Sequence, residues 1–121
     1  MSDAFASFGS HKYLLLTTFR RSGEGVPTAV WFAEVGGALG VFTGPRTGKV
    51  KRIRREGRVL IAPCGFRGRV KGEAQEAAGR LVTGEAAARI EAALVARYGW
   101  QFRMIARRRA EHAFIEITPV G

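Results

Sequence analysis

Runs of apolar and β-branched residues, separated by polar turns that contain glycine, dominate the first third of the chain. The pattern predicts strands at Tyr13–Phe19, at residues 26–34 and at Ala38–Thr43, and Gly36-Gly37 is a two-residue hairpin signal between the second and the third. Pro27 fits the start of the second strand, because proline cannot donate to a central strand ladder. These three segments are therefore expected to form an antiparallel meander.

The spacing of apolar residues becomes helical after the third strand. Val50 and Ile53 lie three residues apart, so a short helix is predicted with Thr47 as its N-cap and an end near residue 56. A longer helix is predicted from residue 84 to about residue 98, where apolar positions recur on one face.

The rest of the chain completes a β-rich pattern. Further strands are predicted at residues 58–66, 67–82 and 113–118, with glycines punctuating the second, and residues 100–109 are interpreted as a third helix. Hairpins dominate the resulting order, β-β-β-α-β-β-α-α-β. The sequence thus predicts one domain over residues 1–121, mainly β with helices (α+β): a small antiparallel barrel, closed or half-closed, with helices at its ends.

Net charge limits the possible binding partners of the protein, and cysteine content indicates its cellular compartment. Twenty lysines and arginines stand against ten acidic residues, which gives a formal net charge of +10. Such a field attracts anions, and composition favours nucleic acid and an anionic cofactor about equally. Cys64 is the single cysteine, which excludes an internal disulfide and indicates a cytoplasmic protein. The N-terminal residues lack the pattern of a signal peptide, and no apolar run is long enough to span a membrane, so no membrane partner is expected.

The most basic stretch follows the third strand and reads FTGPRTGKVKRIRREGR from Phe42 to Arg58. It holds seven lysines and arginines and one acidic residue. Backbone N–H groups at the start of the predicted helix attract anions, and Arg46 and Lys49 add full positive charges beside them. The sequence therefore predicts a phosphate site at this strand-to-helix turn.

The same segments carry a resemblance to a known family. YLLLTTFRRSGEGVPTAVWF, GGALGVFTGPRTGKVKRIRREGRVLIAP and the last strand together resemble the pyridoxamine 5'-phosphate oxidase-like split β-barrel superfamily, whose members bind flavins or deazaflavins. The family pattern has a glycine-glycine hairpin, a strand that ends in F/Y-T, a short basic S/T-x-K helix and an N-P-R-V-like strand. The last of these reads Glu56-Gly57-Arg58-Val59 here, with glycine in place of proline.

Two departures separate the chain from the flavin-binding oxidases of that family. Those oxidases place S-R-K at the turn, where this chain has Thr47-Gly48-Lys49, and they hold an Arg and a Lys on the second strand that residues 28–33 lack. The PTAVWF strand, the FTG strand end and the KVKRIR helix are similar instead to the subgroup that uses the deazaflavin coenzyme F-420. That coenzyme carries a phosphodiester and an oligoglutamate tail, which suit a basic groove.

The resemblance implies an FMN-binding-like split barrel that works as a homodimer, with the cofactor near the subunit interface. It also implies a reductase that transfers a hydride between the deazaflavin and a small organic substrate. Lys49 and Arg46 are expected to hold the phosphate, with Arg46 standing in for the missing arginine. The hydroxyls of Thr43 and Thr47 and the N–H of Gly48 are expected to be neutral donors.

Three further residues are expected to contact the cofactor. Arg52 lies three residues after Lys49 on the same helix face, from which it could reach a tail carboxylate. Thr28 and Val30 share one face of the second strand and are expected to place backbone groups beside the ring. No side chain stands out as a general acid, so no catalytic residue is identified and water is expected to supply a proton.

Other functions remain open at the level of sequence. An FMN-binding oxidoreductase of the same fold and a non-catalytic F-420 carrier both fit the pattern. Nucleic acid is a less favoured partner, because aromatic residues do not interleave with the basic run as a stacking platform requires. His11 and His112 lack partners at metal-ligand spacing, so no metal is expected. Cys64 is interpreted as a buried strand thiol, and Trp31 as a packing residue of the core or of a dimer face.

Overall fold

The computed structural model describes residues 5, 8–9, 11–108 and 111–120. Within these residues, six strands and three helices follow one another in the predicted order: β1 (Tyr13–Phe19), β2 (Gly25–Val35), β3 (Ala38–Thr43), α1 (Gly48–Arg55), β4 (Arg58–Cys64), β5 (Gln75–Val82), α2 (Gly84–Tyr98), α3 (Trp100–Arg107) and β6 (Ala113–Pro119). The predicted class, mainly β with helices, is confirmed.

The six strands close into an antiparallel barrel in the order β1-β2-β3-β6-β5-β4. Side chains that face each other across a strand pair lie on one side of the sheet, and alternate positions point inward. Leu14 opposite Val30 and Val41 opposite Ile115 are two such inward pairs, and all four side chains belong to the buried core cluster. Burial of these inward rows is what holds the barrel together.

A second apolar layer lies outside the barrel, beneath α2. The stripe predicted for this helix is buried at Ile90, Leu94 and Tyr98. Gly40 on β3 allows the close approach, because a Cβ atom at that position would lie 2.6 Å from Cγ2 of Ile90. The helix is thereby packed against β2 and β3.

The prediction of a fifth strand over residues 67–82 is wrong in its first half. β4 ends at Cys64, and the chain then turns, with N–H of Gly68 donating to the carbonyl of Gly65 at 2.9 Å. Gly68 has a φ of +82°, a conformation that favours glycine and breaks a strand. One isolated bridge joins Cys64 to Val70, and the continuous strand starts only at Gln75.

Other boundaries differ by a few residues. β2 extends one residue further at each end than predicted, β4 stops two residues earlier, and β6 reaches Pro119. The third helix ends at Arg107, and residue 109 of the predicted helix lies outside the described residues. Within those residues, no helix has both the length and the apolar content needed to cross a bilayer.

Candidate functional site

The pairing of β2 leaves an opening in the barrel wall. β2 pairs with β1 from Gly25 to Trp31, but it pairs with β3 only from Phe32 to Val35. The first half of β2 therefore has a strand partner on one side only. We refer to its other side, which faces the β3–α1 turn, as the β2 edge.

A buried tyrosine shows which backbone groups point to the β2 edge. The Tyr98 hydroxyl accepts from the N–H of Phe32 at 3.1 Å, and it lies 2.9 Å from the carbonyl of Phe32 and 2.7 Å from that of Lys12, to either of which its single hydrogen can be donated. Because Lys12 immediately precedes β1, the polar groups of Phe32 point towards β1. Backbone groups alternate along a strand, so those of Ala29 point the other way, into the opening.

Pro27 supports this assignment independently. It has no N–H, so it is tolerated in a strand only where that side of the backbone lacks a strand partner. Pro27 lies two residues before Ala29, and its nitrogen is therefore directed to the same β2 edge. By the same alternation, the N–H and C=O of Ala29 are directed to the β2 edge. Those of Thr28 and Val30, which were expected to lie beside the ring, are directed towards β1 instead.

A cavity of about 320 Å³ lies at this opening. We call it the β2 cavity. Its walls are four aromatic rings and three aliphatic side chains, with two hydroxyls and one cation, contributed by Tyr13, Thr28, Ala29, Val30, Trp31, Phe42, Thr43, Lys49, Phe66 and Ile105. Apolar walls with a few convergent polar groups are typical of a small-molecule site.

Four of the eight residues predicted to bind a cofactor line this cavity: Thr28, Val30, Thr43 and Lys49. Lys49 stands in the first turn of α1 and is half-buried. Thr47 is the N-cap residue of that helix, as predicted, but its side chain does not cap the helix; its hydroxyl donates to the carbonyl of Gly44 at 3.1 Å. The helix N-terminus is thus left with N–H groups that the N-cap side chain does not satisfy.

The other four predicted residues, Arg46, Thr47, Gly48 and Arg52, lie at the turn but do not line the cavity. Arg46 is exposed and forms an ion pair with Glu111, with 3.1 Å between Nη2 and Oε2. Arg52 donates from Nε to the buried hydroxyl of Thr18 at 2.6 Å, which ties α1 to β1. Their role in binding stays a prediction.

Gly48 and Arg52 fit together at the start of the helix. A Cβ atom added to Gly48 would lie 2.7 Å from Nη1 and 3.2 Å from Cζ of Arg52. The guanidinium group therefore occupies the space that a side chain at position 48 would need. Since its Nε is anchored on Thr18, the group brings a positive charge against the first turn of α1, where the helix dipole already favours anions.

Trp31 has a structural role that the sequence only partly indicated. Its ring stacks on that of Tyr98, with 4.4 Å between centroids and 12° between planes. Because the Tyr98 hydroxyl is fixed by Phe32 and Lys12, the stack holds the indole in place. Trp31 lines the β2 cavity and also a second one, so it is a wall between two spaces as well as a packing residue.

The second cavity adjoins the first and also measures about 320 Å³. We call it the α3 cavity. It shares Tyr13, Trp31 and Ile105 with the β2 cavity, and its remaining walls come from Lys12, Trp100, Gln101, Met104 and Arg108. A larger groove of about 660 Å³ lies between α2 and α3, but neither β2 nor the β3–α1 turn lines it.

Among the described residues that line the β2 cavity, only Tyr13 and Lys49 have titratable side chains. Burial raises the pKa of the Cys64 thiol, which is the buried strand residue that was predicted and is correspondingly unreactive. Burial also raises the pKa of Tyr98. His112 lies with Nε2 2.8 Å from the carbonyl of Ala106, away from the β2 cavity. Among the described residues, no three His, Cys, Asp or Glu side chains are grouped as metal ligands would be.

Sequence reasoning missed several walls of the site. Tyr13, Phe66 and Ile105 come from β1, the β4–β5 loop and α3, and nothing in their local pattern shows that they meet. Ala29 was missed because the alternation along a strand divides its residues into two sets, and does not show which set directs its backbone N–H and C=O groups to the β2 edge. Pro27 was the one local signal that could have settled this.

Comparison with known proteins gives the fold. No protein-family model matches the chain, and no curated protein matches it at a significant level. Solved structures do match: HutZ, a heme storage protein from Vibrio cholerae, has a TM-score of 0.76 at 14% identity, covering 97% of this chain and 88% of that one.

Two flavin-related structures match over similar lengths. An FAD-binding protein from Mesorhizobium loti has a TM-score of 0.67 at 15% identity and covers 100% of this chain and 90% of its own. A pyridoxamine 5'-phosphate oxidase candidate from Listeria innocua has a TM-score of 0.65 at 16% identity, with 97% and 90% covered. At such identities the likeness establishes the architecture alone: this chain has the split β-barrel fold that these flavin-binding, oxidase-like and heme-binding proteins share.

Proposed function

We propose that the protein is an oxidoreductase that binds coenzyme F-420 at the β2 opening and transfers a hydride between this deazaflavin and a small organic substrate. The observation that carries the proposal is the β2 cavity itself. Aromatic and aliphatic walls suit a flat heterocycle, and Lys49 at the start of α1 suits the negative charge of a phosphodiester.

The polar and aromatic groups of the β2 cavity suit both the ring and the phosphodiester of such a coenzyme. The N–H and C=O of Ala29 would pair with polar atoms of the heterocycle, and Trp31 would cover one side of the cavity. Lys49 would hold the phosphodiester, with hydroxyls from Thr28 and Thr43 beside it. The bound deazaflavin supplies the hydride chemistry, while the protein binds it, orients it and excludes water.

Arg52 is the second cation of this proposed site, in preference to Arg46. The Arg52 guanidinium lies against Gly48 at the helix start, whereas Arg46 is exposed and already paired with Glu111. The glycine that replaces the family arginine thus makes room for a charge that arrives from the next turn. Arg46 would then contribute to the positive field around the tail rather than to the phosphate contact, and the Thr47 hydroxyl is already donated to the carbonyl of Gly44.

FMN is the second candidate cofactor. The FAD-binding protein from Mesorhizobium loti shows that this fold accommodates a flavin, and the apolar walls of the β2 cavity do not distinguish a flavin ring from a deazaflavin ring. The two differ in the tail, because the oligoglutamate of F-420 adds carboxylates where FMN ends in one phosphate. The basic residues of α1, with no acidic residue in its first turn, favour the longer anion.

A homodimer is part of the proposal. Phe66, a wall of the β2 cavity, has 73% of its surface exposed, and an aromatic side chain with that exposure at a cavity rim suits cover by a second copy. Light scattering should give about twice the 13.2 kDa chain mass. A Phe66→Glu variant should lower that mass, while Val120→Glu, at an exposed site just after β6, should not.

The cofactor is tested by titrating the purified protein with oxidised F-420 and with FMN in parallel, followed by fluorescence. We expect saturable binding of F-420 with the lower Kd. Preferential binding of FMN would identify FMN, and not F-420, as the cofactor. Binding of neither ligand would contradict the proposed site. Tight F-420 binding without turnover of any electrophilic acceptor would identify a carrier in place of an enzyme.

A further inference from the structure

We infer that the α3 cavity binds a planar aromatic carboxylate, and that a member of this class with a conjugated C=C bond is the substrate of the proposed oxidoreductase. That bond would take up a hydride from the reduced coenzyme and a proton from water, which leaves the coenzyme oxidised. The substrate part of the inference depends on the proposed function, but the binding site itself does not. It rests on the walls of the cavity, the charges at its rim and its junction with the β2 cavity.

The walls of the α3 cavity select flat apolar molecules. Both tryptophans of the chain line it, together with Met104 and Ile105. Trp100 is 67% exposed and Met104 is 47% exposed, which is unusual for large apolar side chains that line a concave surface. Trp31 is rigid because it stacks on Tyr98. A cavity lined by one rigid indole and one exposed indole favours a flat aromatic ring that can pack against them.

The polar groups at the rim select a negative charge. Lys12 and Arg108 both line the cavity, and among the described residues that line it there is no carboxylate. Nζ of Lys12 lies 3.4 Å from Oε1 of Gln101, at the outer limit of a hydrogen bond, and 5.7 Å from the centre of the Trp31 ring. Two exposed cations beside an apolar space favour an amphiphile with an anionic end, because its charge can pair with theirs at the rim while its ring occupies the apolar space.

The junction with the β2 cavity gives the site its relation to the cofactor. Tyr13, Trp31 and Ile105 line both cavities, so ligands in the two would be separated by no more than these side chains. A molecule in the α3 cavity would therefore lie next to a ring held at the β2 edge. The volume of about 320 Å³ is at the lower end of ligand pockets, which suits one or two fused rings.

Intrinsic tryptophan fluorescence reports on this cavity directly, since both of the chain's tryptophans line it. The probe is naphthalene-2-carboxylate, and the matched neutral probe is naphthalene-2-carboxamide. We expect saturable quenching, with the carboxylate bound at least about tenfold more tightly than the amide. Equal affinities, or no saturable binding of the carboxylate, would overturn the inference.

Variants locate the probe within the molecule. Lys12→Ala combined with Arg108→Ala should remove the preference for the carboxylate. Arg103→Ala is the control, because Arg103 lies on α3 but lines the groove between α2 and α3, and it should leave the preference unchanged. Lys49→Ala should also leave probe affinity unchanged, because Lys49 lines only the β2 cavity. A loss of probe binding with Lys49→Ala or with Arg103→Ala would place the probe elsewhere and overturn the assignment.

The substrate role is tested on the F-420-loaded protein. The probe should bind to it as well, since the two cavities are adjacent and distinct. Mutual exclusion of probe and coenzyme would mean one shared site and would overturn the substrate role. A failure of F-420 to bind would count against the proposed function, and the measurement on the free protein would still decide whether the aromatic carboxylate site exists.

Discussion

At the scale of single residues, the environment of each cation near the β3–α1 turn depends on packing as much as on position in the sequence. Arg46, Lys49 and Arg52 all lie within one short segment, yet each has a different environment. Arg46 is exposed in an ion pair with Glu111, Lys49 is half-buried at the β2 cavity, and Arg52 is anchored on Thr18. An exposed ion pair such as that of Arg46 contributes little to stability or selectivity. Lys49 and Arg52 are therefore the cations on which the proposed coenzyme specificity depends.

Arg52→Ala should weaken F-420 binding by roughly tenfold, which is the scale of one hydrogen bond to a charged group. Arg54→Ala is the matched control, because Arg54 is an exposed arginine on the same helix and should have little effect. Fluorescence titration of both variants measures the difference. Equal losses would show that only the general positive field matters and that the position against Gly48 does not.

At the scale of elements, one hydroxyl joins α2 to the first two strands. The Tyr98 hydroxyl accepts from the N–H of Phe32 and lies within reach of the carbonyls of Phe32 and Lys12, and the ring supports Trp31. The hydroxyl therefore substitutes for the strand pair that would otherwise continue β1 against β2. Tyr13 and Trp31, the last pair of β1 and β2 on this side, line both cavities.

Tyr98→Phe should lower the free energy of unfolding by about 1–3 kcal/mol, because the buried N–H of Phe32 would lose its acceptor. Tyr13→Phe is the control: among the described residues the Tyr13 hydroxyl makes no hydrogen bond, so its loss should lower the free energy of unfolding much less. Urea denaturation measures both. A Tyr98→Phe protein as stable as the parent would show that solvent readily replaces the hydroxyl.

The same residue should make stability depend on alkaline pH. Burial raises the pKa of Tyr98 in the folded state, so the folded protein retains this proton to higher pH than the unfolded chain does. The stabilisation is fully present below the unfolded-state pKa and is lost as the pH rises through the folded-state pKa. The free energy of unfolding should fall at alkaline pH, and less steeply in Tyr98→Phe; an identical slope in both proteins would contradict this.

The elements themselves were largely predictable, because local periodicity and turn residues determine them. β1, β3 and α2 have the predicted bounds, and α1 follows Thr47 as expected. The loop over residues 65–74 was not predictable from apolar content, since turn hydrogen bonds there replace strand pairing. The orientation of Ala29 was indicated locally only by Pro27, and the contact that establishes it joins Phe32 to Tyr98 across 66 residues.

At the scale of the whole molecule, the net charge of +10 affects both folding and binding. Like charges on a compact barrel repel one another, and the same field attracts an anionic coenzyme. Salt weakens both effects, since the Debye length is about 10 Å at 0.1 M and shortens as salt is added. Stability and coenzyme affinity are therefore expected to respond to salt in opposite directions.

Raising sodium chloride from about 20 to about 200 mM should increase the melting temperature of the free protein and weaken F-420 binding. Sucrose at equal osmolality is the control, because it does not screen charge and should leave coenzyme affinity unchanged. Thermal unfolding and fluorescence titration give the two quantities. A melting temperature that falls with salt, or an affinity that does not, would mean that local contacts outweigh the overall field.

The most direct test compares two ligands on the parent protein and on Lys49→Ala. One ligand is F-420, and the other is the deazaflavin riboside that lacks the phosphodiester and the glutamates. Lys49→Ala should weaken F-420 by at least about 1.5 kcal/mol, the scale of a charge-assisted hydrogen bond, and should leave the Kd of the riboside unchanged. An unchanged Kd for F-420, or an equal loss for both ligands, would contradict a basic turn that grips the anionic end while the β2 edge holds the ring.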